Sequence, residues 1–310
     1  MKCILCGEES AKPICNNCTK KIRVENPLIA TKSVWVGIGA YKAVRNFEIE
    51  DISKLKAYFK LLIYPEVPHI TSEDLSLLNE VLKIEKSLEM DDEAYHYLSI
   101  LLFKMHLHRE HYLAPFEVEE DYYLSMAKNF IVKGLEINDE NVNLYNWAIK
   151  VGEFEGNRKM IKEYSYKAYE KFGGRNYLIK LLEILEDEKS HNEIVKLCDE
   201  YLEKSPNDFE IVKKKAKAFM NMEKYEDAQL TFLKAIEIKN DDWESWYLRG
   251  VCLRRIGKYG GAIQSFQTAI AINPQHKESY KNLIEVLEEI GQKEKAEEFR
   301  KRMNERFGGG

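Results

Sequence analysis

The chain has 310 residues, of which 45% are hydrophobic and 32% are charged, and its formal net charge is -5 at neutral pH. No unbroken apolar run is long enough to cross a membrane, and the negative charge argues against general nucleic-acid affinity of the whole chain. We therefore expect a cytoplasmic protein with no membrane partner and with ample material for a hydrophobic core.

Four cysteines near the N-terminus carry the strongest chemical signal, because Cys3, Cys6, Cys15 and Cys18 form two C-x2-C pairs. Two residues between thiols let both sulfurs of a pair face one ion, and two pairs supply the four-thiolate shell that zinc prefers. We predict a structural Zn²⁺ site over residues 1–24, where the chain resembles the small zinc ribbons and zinc knuckles. Four thiolates leave no open position on the metal, which argues against a catalytic zinc.

Two alternatives exist for these cysteines: an iron centre and disulfide bonds. Disulfides fit poorly, because no signal peptide precedes Cys3. The spacer between the pairs is shorter than in the usual ribbon, so a second pair that opens a helix at Thr19–Val24 is an equal alternative. Residues 1–32 contain six Lys or Arg and three Glu, and this positive charge either balances the thiolates or contacts RNA or DNA phosphates.

Residues 25–90 form a connecting region for which we predict one helical hairpin. Helical spacing of apolar residues indicates helices over Asp51–Tyr64 and Ser72–Glu89. A nucleotide-binding loop at residues 37–39 is a poor interpretation, because Lys42 occupies the place of the third glycine and no βαβ pattern follows.

Residues 91–174 are predicted to form degenerate helical hairpins. Helices are expected over Asp92–Arg109 and Glu117–Ile137, and Asn141–Gly174 keeps a 34-residue period with Ala148 as its one small residue in phase. Four histidines crowd this region: His96, His106, His108 and His111. The cluster lacks the His-Glu-x-x-His arrangement of zinc hydrolases, so we expect solvated or partly buried helix residues there.

The last part of the chain, residues 175–310, repeats one pattern every 34 residues. Ala228, Ala262 and Ala296 share this spacing, as do Tyr225 and Tyr259. A helix-turn-helix unit of this length cannot bury its apolar face alone, so its copies must stack. The predicted copies are 175–208, 209–242, 243–276 and 277–310, the last of which is a polar cap.

The copy at 243–276 resembles the tetratricopeptide repeat. Residues of the family's types stand at the family's spacing: Trp246, Gly250, Tyr259, Ala262, Phe266, Ala269 and Pro274. The resemblance implies an all-α fold, an α-solenoid of helix-turn-helix repeats, with the small zinc-binding module at its N-terminus. Gly250 and Ala262 are expected where the two helices of a hairpin cross, because a longer side chain would push them apart.

The resemblance also implies that a partner lies along a concave face lined by the first helix of each repeat. By repeat position, six residues of this chain are candidates for partner binding: Lys213, Lys217, Tyr247, Val251, Arg254 and Arg255. The four cations would form a basic patch around Tyr247 and Val251, beside an acidic final repeat. The alternative is that these residues are merely solvated helix faces.

These patterns favour a protein–protein interaction scaffold or adaptor that binds a segment of its partner on the concave face. The alternative is a nucleic-acid-associated factor whose basic zinc module contacts RNA or DNA while the repeats recruit protein. An enzyme is not expected, because the sequence contains no recognisable nucleophile elbow and no phosphate loop.

Overall fold

A computed structural model describes residues 50–63, 70, 72–107 and 121–308 of the chain. All regular structure within these residues is helical, and none of their helices is long and apolar enough to cross a membrane. The α-helices so described are α1 (Ile52–Ile63), α2 (Ser72–Ile84), α3 (Asp92–Leu107), α4 (Tyr122–Ile137), α5 (Val142–Glu155), α6 (Arg158–Phe172), α7 (Arg175–Asp187), α8 (His191–Lys204), α9 (Phe209–Asn221), α10 (Tyr225–Ile238), α11 (Trp243–Arg255), α12 (Tyr259–Ile272), α13 (Lys277–Glu289) and α14 (Lys293–Phe307).

The chain divides into two compact units, Met1–Phe172 and Gly173–Gly310. Helices α1 to α6 belong to the first unit and helices α7 to α14 to the second. In the second unit, the first helix of each hairpin begins at the first residue of a predicted copy. These helix starts are Arg175, Phe209, Trp243 and Lys277.

The first unit contains the two helices predicted for the connecting region. Helix α2 ends earlier than predicted, at Ile84, and a 3-10 turn over Glu85–Ser87 follows it. The Tyr58 hydroxyl of α1 donates a hydrogen bond of 2.5 Å to Asp74 of α2. Asp74 is buried, and a buried carboxylate needs such a partner, so this bond helps to hold the two helices together.

Helix α3 is central to the first unit, because it packs against α1, α4 and α5. Leu98 and Leu102 on this helix are fully buried. A buried carboxylate lies beside it: Glu85 accepts a hydrogen bond from the Tyr95 hydroxyl and pairs with Lys133 at 2.6 Å. These two bonds join the 3-10 turn to α3 and α4, and they offset the cost of removing the carboxylate from water.

Each hairpin of the second unit packs against the next one along the chain. Within the hairpin of α11 and α12, Gly250 faces Phe266, and a Cβ atom on Gly250 would lie 2.6 Å from Cε1 of that ring. Ala262 and Phe266 are fully buried. The need for a small residue at this crossing is therefore confirmed, because two close helices leave room for Phe266 alone.

The turn between the two helices of a hairpin requires a left-handed residue at the same place in every repeat. The residues with this positive φ are Lys189 at 57°, Glu223 at 59°, Gly257 at 74° and Gly291 at 77°. Only the last two copies use glycine, which adopts the conformation without strain.

Candidate partner-binding surface

The six candidate residues lie on the first helices of two neighbouring repeats. Lys213 and Lys217 are one helical turn apart on α9, and the other four residues are on α11. Residues three or four apart share a helix face, so Tyr247, Val251 and Arg254 line one side of α11. Val251 is partly buried and packs against the apolar core of the last two repeats.

The two lysines face carboxylates of the following repeat. The Nζ atom of Lys213 lies 3.0 Å from Asp242 and 2.6 Å from Glu244, and that of Lys217 lies 2.7 Å from Glu244. Burial by itself lowers the pKa of Lys213, but its hydrogen bonds to Glu244 and Asp242 outweigh burial and raise it. Lys213 is thus held in its charged form by the neighbouring repeat.

Arg254 repeats this relationship one repeat later. Its guanidinium lies 2.5 Å from Glu285, its Nε atom donates to Glu289 at 3.1 Å, and a further nitrogen lies 3.3 Å from the Asn282 carbonyl oxygen. The hydrogen bond to Glu289 is the main cause of the raised pKa of Arg254, and that to Glu285 adds to it. The acidic final repeat is therefore the partner of this cation within the chain.

The strength of these ion pairs differs because their exposure differs. The Lys213 and Asp242 side chains are 12% and 15% exposed, whereas Glu285 is 53% exposed. Exposed pairs contribute little to stability, since water screens them and two side chains must be held in place. A ligand can therefore compete for Arg254 at a smaller cost than for Lys213.

Arg255 is the candidate cation that stays available. Its side chain is exposed, and it takes part in no ion pair with the residues that the structure describes. Among the four cations that the sequence placed in a basic patch, three face carboxylates and one does not. The charge that this surface offers to a partner is correspondingly smaller than the residue types suggested.

An aromatic cluster of Trp243, Tyr247 and His276 lies where the preceding repeat has an ion pair. Counted by repeat position, Tyr247 corresponds to Lys213 and His276 to Asp242. The His276 ring lies 4.4 Å from that of Trp243 and 4.7 Å from that of Tyr247, between centroids. Burial lowers the pKa of His276, which favours the neutral ring. Aromatic surface of this kind is a good anchor for a protein partner.

A cavity of about 360 Å³ lies near the two lysines. It is bounded by α7 to α9 and by Glu244 of α11. Its charged lining is partly neutralised within the chain, because Lys214 lies 3.0 Å from Glu186. His191 also lines the cavity, and its Nδ1 atom is buried with no hydrogen-bond partner among the described residues.

The sequence did not single out Asp242, Trp243 or His276 as site residues. The repeat period could have identified Asp242 and His276. Together with Asp208 they recur every 34 residues, and each is the N-cap of the first helix of the following repeat. Asp242 accepts a hydrogen bond of 2.9 Å from the Ser245 backbone amide. Capping residues of this type are recognisable from sequence, although their distant ion-pair partners are not.

The four predicted zinc ligands lie outside the described residues, as do His108 and His111. Within the part of the chain that the structure describes, no group of three or more His, Cys, Asp or Glu is placed to hold a metal ion. Cys198 and Cys252 are buried thiols, and burial raises the pKa of each to about 12. They therefore behave as unreactive apolar residues.

Family models for the tetratricopeptide repeat match residues 213–277 and 254–307. The chain is 27% identical over 236 residues to a TPR repeat-containing protein of Methanocaldococcus jannaschii, MJ1428, which covers 72% of this chain. It is 30% identical over 97 residues, or 31% of this chain, to human tetratricopeptide repeat protein 33. The chain spans 37% of the length of each of these relatives. Tetratricopeptide repeats are thus present in the C-terminal part of the chain, and the matching descriptions indicate no enzymatic family.

The fold of a solved structure agrees with this assignment. The crystal structure of a MamA protein matches 54% of this chain and 92% of its own length, with a TM-score of 0.50 and 17% sequence identity. At this identity the match concerns the fold alone. It supports a helical-repeat architecture.

Proposed function

We propose that this protein is an interaction scaffold that binds an extended segment of another protein across the first helices of its C-terminal repeats. The contact would centre on Tyr247 and Val251 of α11, with Arg255 as the free cation at its edge. The observation that carries this proposal is the aromatic cluster of Trp243, Tyr247 and His276, in which Tyr247 and His276 stand at the repeat positions of the ion pair between Lys213 and Asp242.

Ion pairs between repeats and an aromatic cluster have different uses. The pairs of Lys213 and Arg254 join consecutive repeats, so displacing them costs part of the packing between repeats. The rings of Tyr247 and His276 offer area without a competing charge, and buried aromatic anchors provide much of the affinity in protein interfaces. A partner would therefore gain most from an apolar anchor on the rings and an acidic residue near Arg255.

A photo-crosslinking residue at position 255 tests this proposal, with the same residue at exposed Gln267 of α12 as the matched control. We expect a protein adduct from position 255 and none from position 267. The identified partner should then bind the Arg255→Glu variant more weakly and the Gln267→Ala variant unchanged. Equal adducts at both positions, or unchanged affinity of Arg255→Glu, would overturn the proposal.

We also propose that the N-terminal cysteines hold a structural zinc ion, on the strength of their spacing. In that role the metal would order residues 1–24 and take no part in chemistry. The nucleic-acid alternative rests on the six basic residues of residues 1–32. Salt-dependent binding of RNA or DNA that disappears when Lys20, Lys21 and Arg23 are neutralised would favour it over the scaffold proposal.

A further inference from the structure

Arg249 on α11 is a partly buried cation without a carboxylate partner. Its Nη1 atom donates a hydrogen bond of 2.9 Å to Ser265, and its guanidinium carbon lies 5.9 Å from the centroid of the Trp246 ring. Its Nε atom is buried and has no hydrogen-bond partner among the described residues. Within those residues Arg249 takes part in no ion pair, so part of its hydrogen-bonding capacity is unused.

The preceding repeat has the ion pair that this one lacks. Lys215 stands at the same repeat position as Arg249, and its Nζ atom lies 2.5 Å from Asp199 of α8. One repeat later, the position of Asp199 is occupied by Leu233 of α10. The cation has thus been kept in the repeat at 243–276 while its carboxylate has been replaced by an apolar side chain.

The other repeats show what this position holds when no cation is used. Leu181 and Leu283 stand there in the first and last copies, and both are fully buried. A leucine fills such a place at no electrostatic cost, whereas a partly buried cation without a carboxylate loses hydration that one neutral hydrogen bond and a ring contact restore only in part. The cation of Arg249 is therefore not needed for packing the repeats.

Electrostatics distinguish Arg249 from Arg175 and Arg254 in the same unit. A hydrogen bond that the guanidinium donates to a carboxylate, Asp208 in one case and Glu289 in the other, is the main cause of their raised pKa values. The pKa of Arg249 is lowered, and burial is the single cause. An added carboxylate would therefore relieve the burial cost at Arg249, while at the other two it would compete with one already in place.

The surroundings of Arg249 favour an anion that is attached to an apolar segment. Helix α12, which supplies Ser265, contains no charged residue. Leu230 stands three residues before Leu233 on α10, on the same side of that helix, and its side chain is 58% exposed. A Cβ atom on Gly260, at the start of α12, would meet nothing within 4 Å. Helices α10 and α12 both pack against α11, the helix that carries Arg249.

We propose that Arg249 is a second docking point, which binds the carboxylate of a glutamate or aspartate side chain from a partner protein. The acidic residue would approach the guanidinium from solvent beside Leu233, which stands at the repeat position of Asp199, and an apolar neighbour would contact Leu230. Arg249 lies two residues from both Tyr247 and Val251, about 200° around the helix. This docking point is therefore on the opposite side of α11 from the surface proposed above, and it goes beyond that function.

A first experiment tests whether the guanidinium lacks a carboxylate. In the full-length protein, Leu233→Asp should raise the urea midpoint, because it recreates the pair that Lys215 and Asp199 make. The same substitution in an Arg249→Leu background should lower it, since the new carboxylate would then have no cation. A lower midpoint in both backgrounds would overturn the premise.

A second experiment tests the docking point with a defined probe. The probe is a capped hexapeptide with one leucine and one glutamate, and its control has glutamine in place of the glutamate. NMR titration of the Arg249 Nε–H signal in the full-length protein should show a shift with the glutamate peptide and at least tenfold weaker binding of the glutamine peptide. Leu233→Asp, which supplies a carboxylate from within the chain, should abolish the shift.

Three outcomes would overturn the proposal. These are equal binding of both peptides, an undiminished shift in Leu233→Asp, and a shift produced by inorganic phosphate but not by the glutamate peptide. If Leu233→Asp does not fold, Arg249→Leu replaces it, with peptide signals as the readout. Arg255→Glu should bind the peptide like the unmodified protein, so a failure at Arg249 and a failure of the surface around Tyr247 are distinguishable.

Discussion

Lys213 of one repeat lies 3.0 Å from Asp242, the residue that caps the first helix of the next repeat. One carboxylate therefore serves two purposes, because it accepts the Ser245 backbone amide and also neutralises a cation 29 residues earlier in the chain. Asp208 likewise caps the first helix of its following repeat and lies 2.7 Å from the guanidinium of Arg175 in the preceding repeat. Helix capping and the joining of consecutive repeats are thus coupled through single aspartates.

Asp242→Asn separates these two purposes, because asparagine keeps the capping oxygen but removes the charge. We expect a loss of about 1–2 kcal/mol in the free energy of unfolding, since Lys213 is largely buried and loses one of its two carboxylates. The matched variant Asp208→Asn should lose less, because Arg175 is 45% exposed. Urea unfolding measures the free energy lost in each variant. An equal loss in Asp242→Asn and Asp208→Asn would contradict the coupling of helix capping to the joining of consecutive repeats.

Stability should fall in acid for the same reason. Burial alone raises the pKa of Asp242, but hydrogen bonds from Ser245 and Lys213 hold it below its usual value. A carboxyl whose pKa is lower in the folded state stabilises the protein above about pH 4, and this contribution is lost as the pH falls further. Unfolding measured between neutral pH and acid should show a shallower decline for Asp242→Asn, and parallel curves would argue against this assignment.

The left-handed turns offer a stabilising substitution. Glu223 has a φ of 59° where Gly257 stands in the next repeat, and a left-handed conformation is strained for any residue with a Cβ atom. Glu223→Gly should raise the free energy of unfolding by about 1 kcal/mol. Gly257→Ala is the control of opposite sign. A destabilised Glu223→Gly variant would show that the Glu223 side chain has a role that outweighs the backbone strain.

The helix crossing at Gly250 should tolerate no larger residue. Gly250→Ala would bring a Cβ atom to 2.6 Å from the buried Phe266 ring, and we expect a cost of roughly 1–3 kcal/mol. Gly260→Ala is the matched control, because a Cβ atom there meets nothing within 4 Å. Thermal unfolding should show a lower midpoint for the first variant and an unchanged or higher one for the second. Similar midpoints would mean that the ring moves aside.

Metal analysis tests the N-terminal module directly. We expect one zinc ion per chain, lost when Cys3 and Cys6 are replaced by serine, since two thiolates cannot hold the ion as four do. A Cys198→Ser variant should keep its zinc, because that thiol is buried in the repeats. Iron in place of zinc, or a protein without metal that has oxidised cysteines, would replace the zinc prediction with one of its two alternatives.

The repeat bounds read from the sequence coincide with the starts of the first helices in the second unit. The 34-residue period gave helix starts at Phe209 and Trp243, and the need for a small residue at Gly250 followed from the same pattern. These features depend on residues that are close in sequence or that recur at a fixed interval, so periodicity is enough to read them. The same pattern gave no sign that Glu223 adopts a left-handed conformation.

Only the tertiary structure decided which charges on the repeats are paired. Sequence spacing placed Lys213, Lys217 and Arg254 together with Arg255 in one basic patch, whereas the folded chain brings carboxylates from the next repeat against the first three. Among the described residues it also leaves Arg249 without the carboxylate that Lys215 has. A charge is neutralised by whatever lies within a few ångströms, and those neighbours are often some 30 residues away in the chain, beyond the reach of a local pattern.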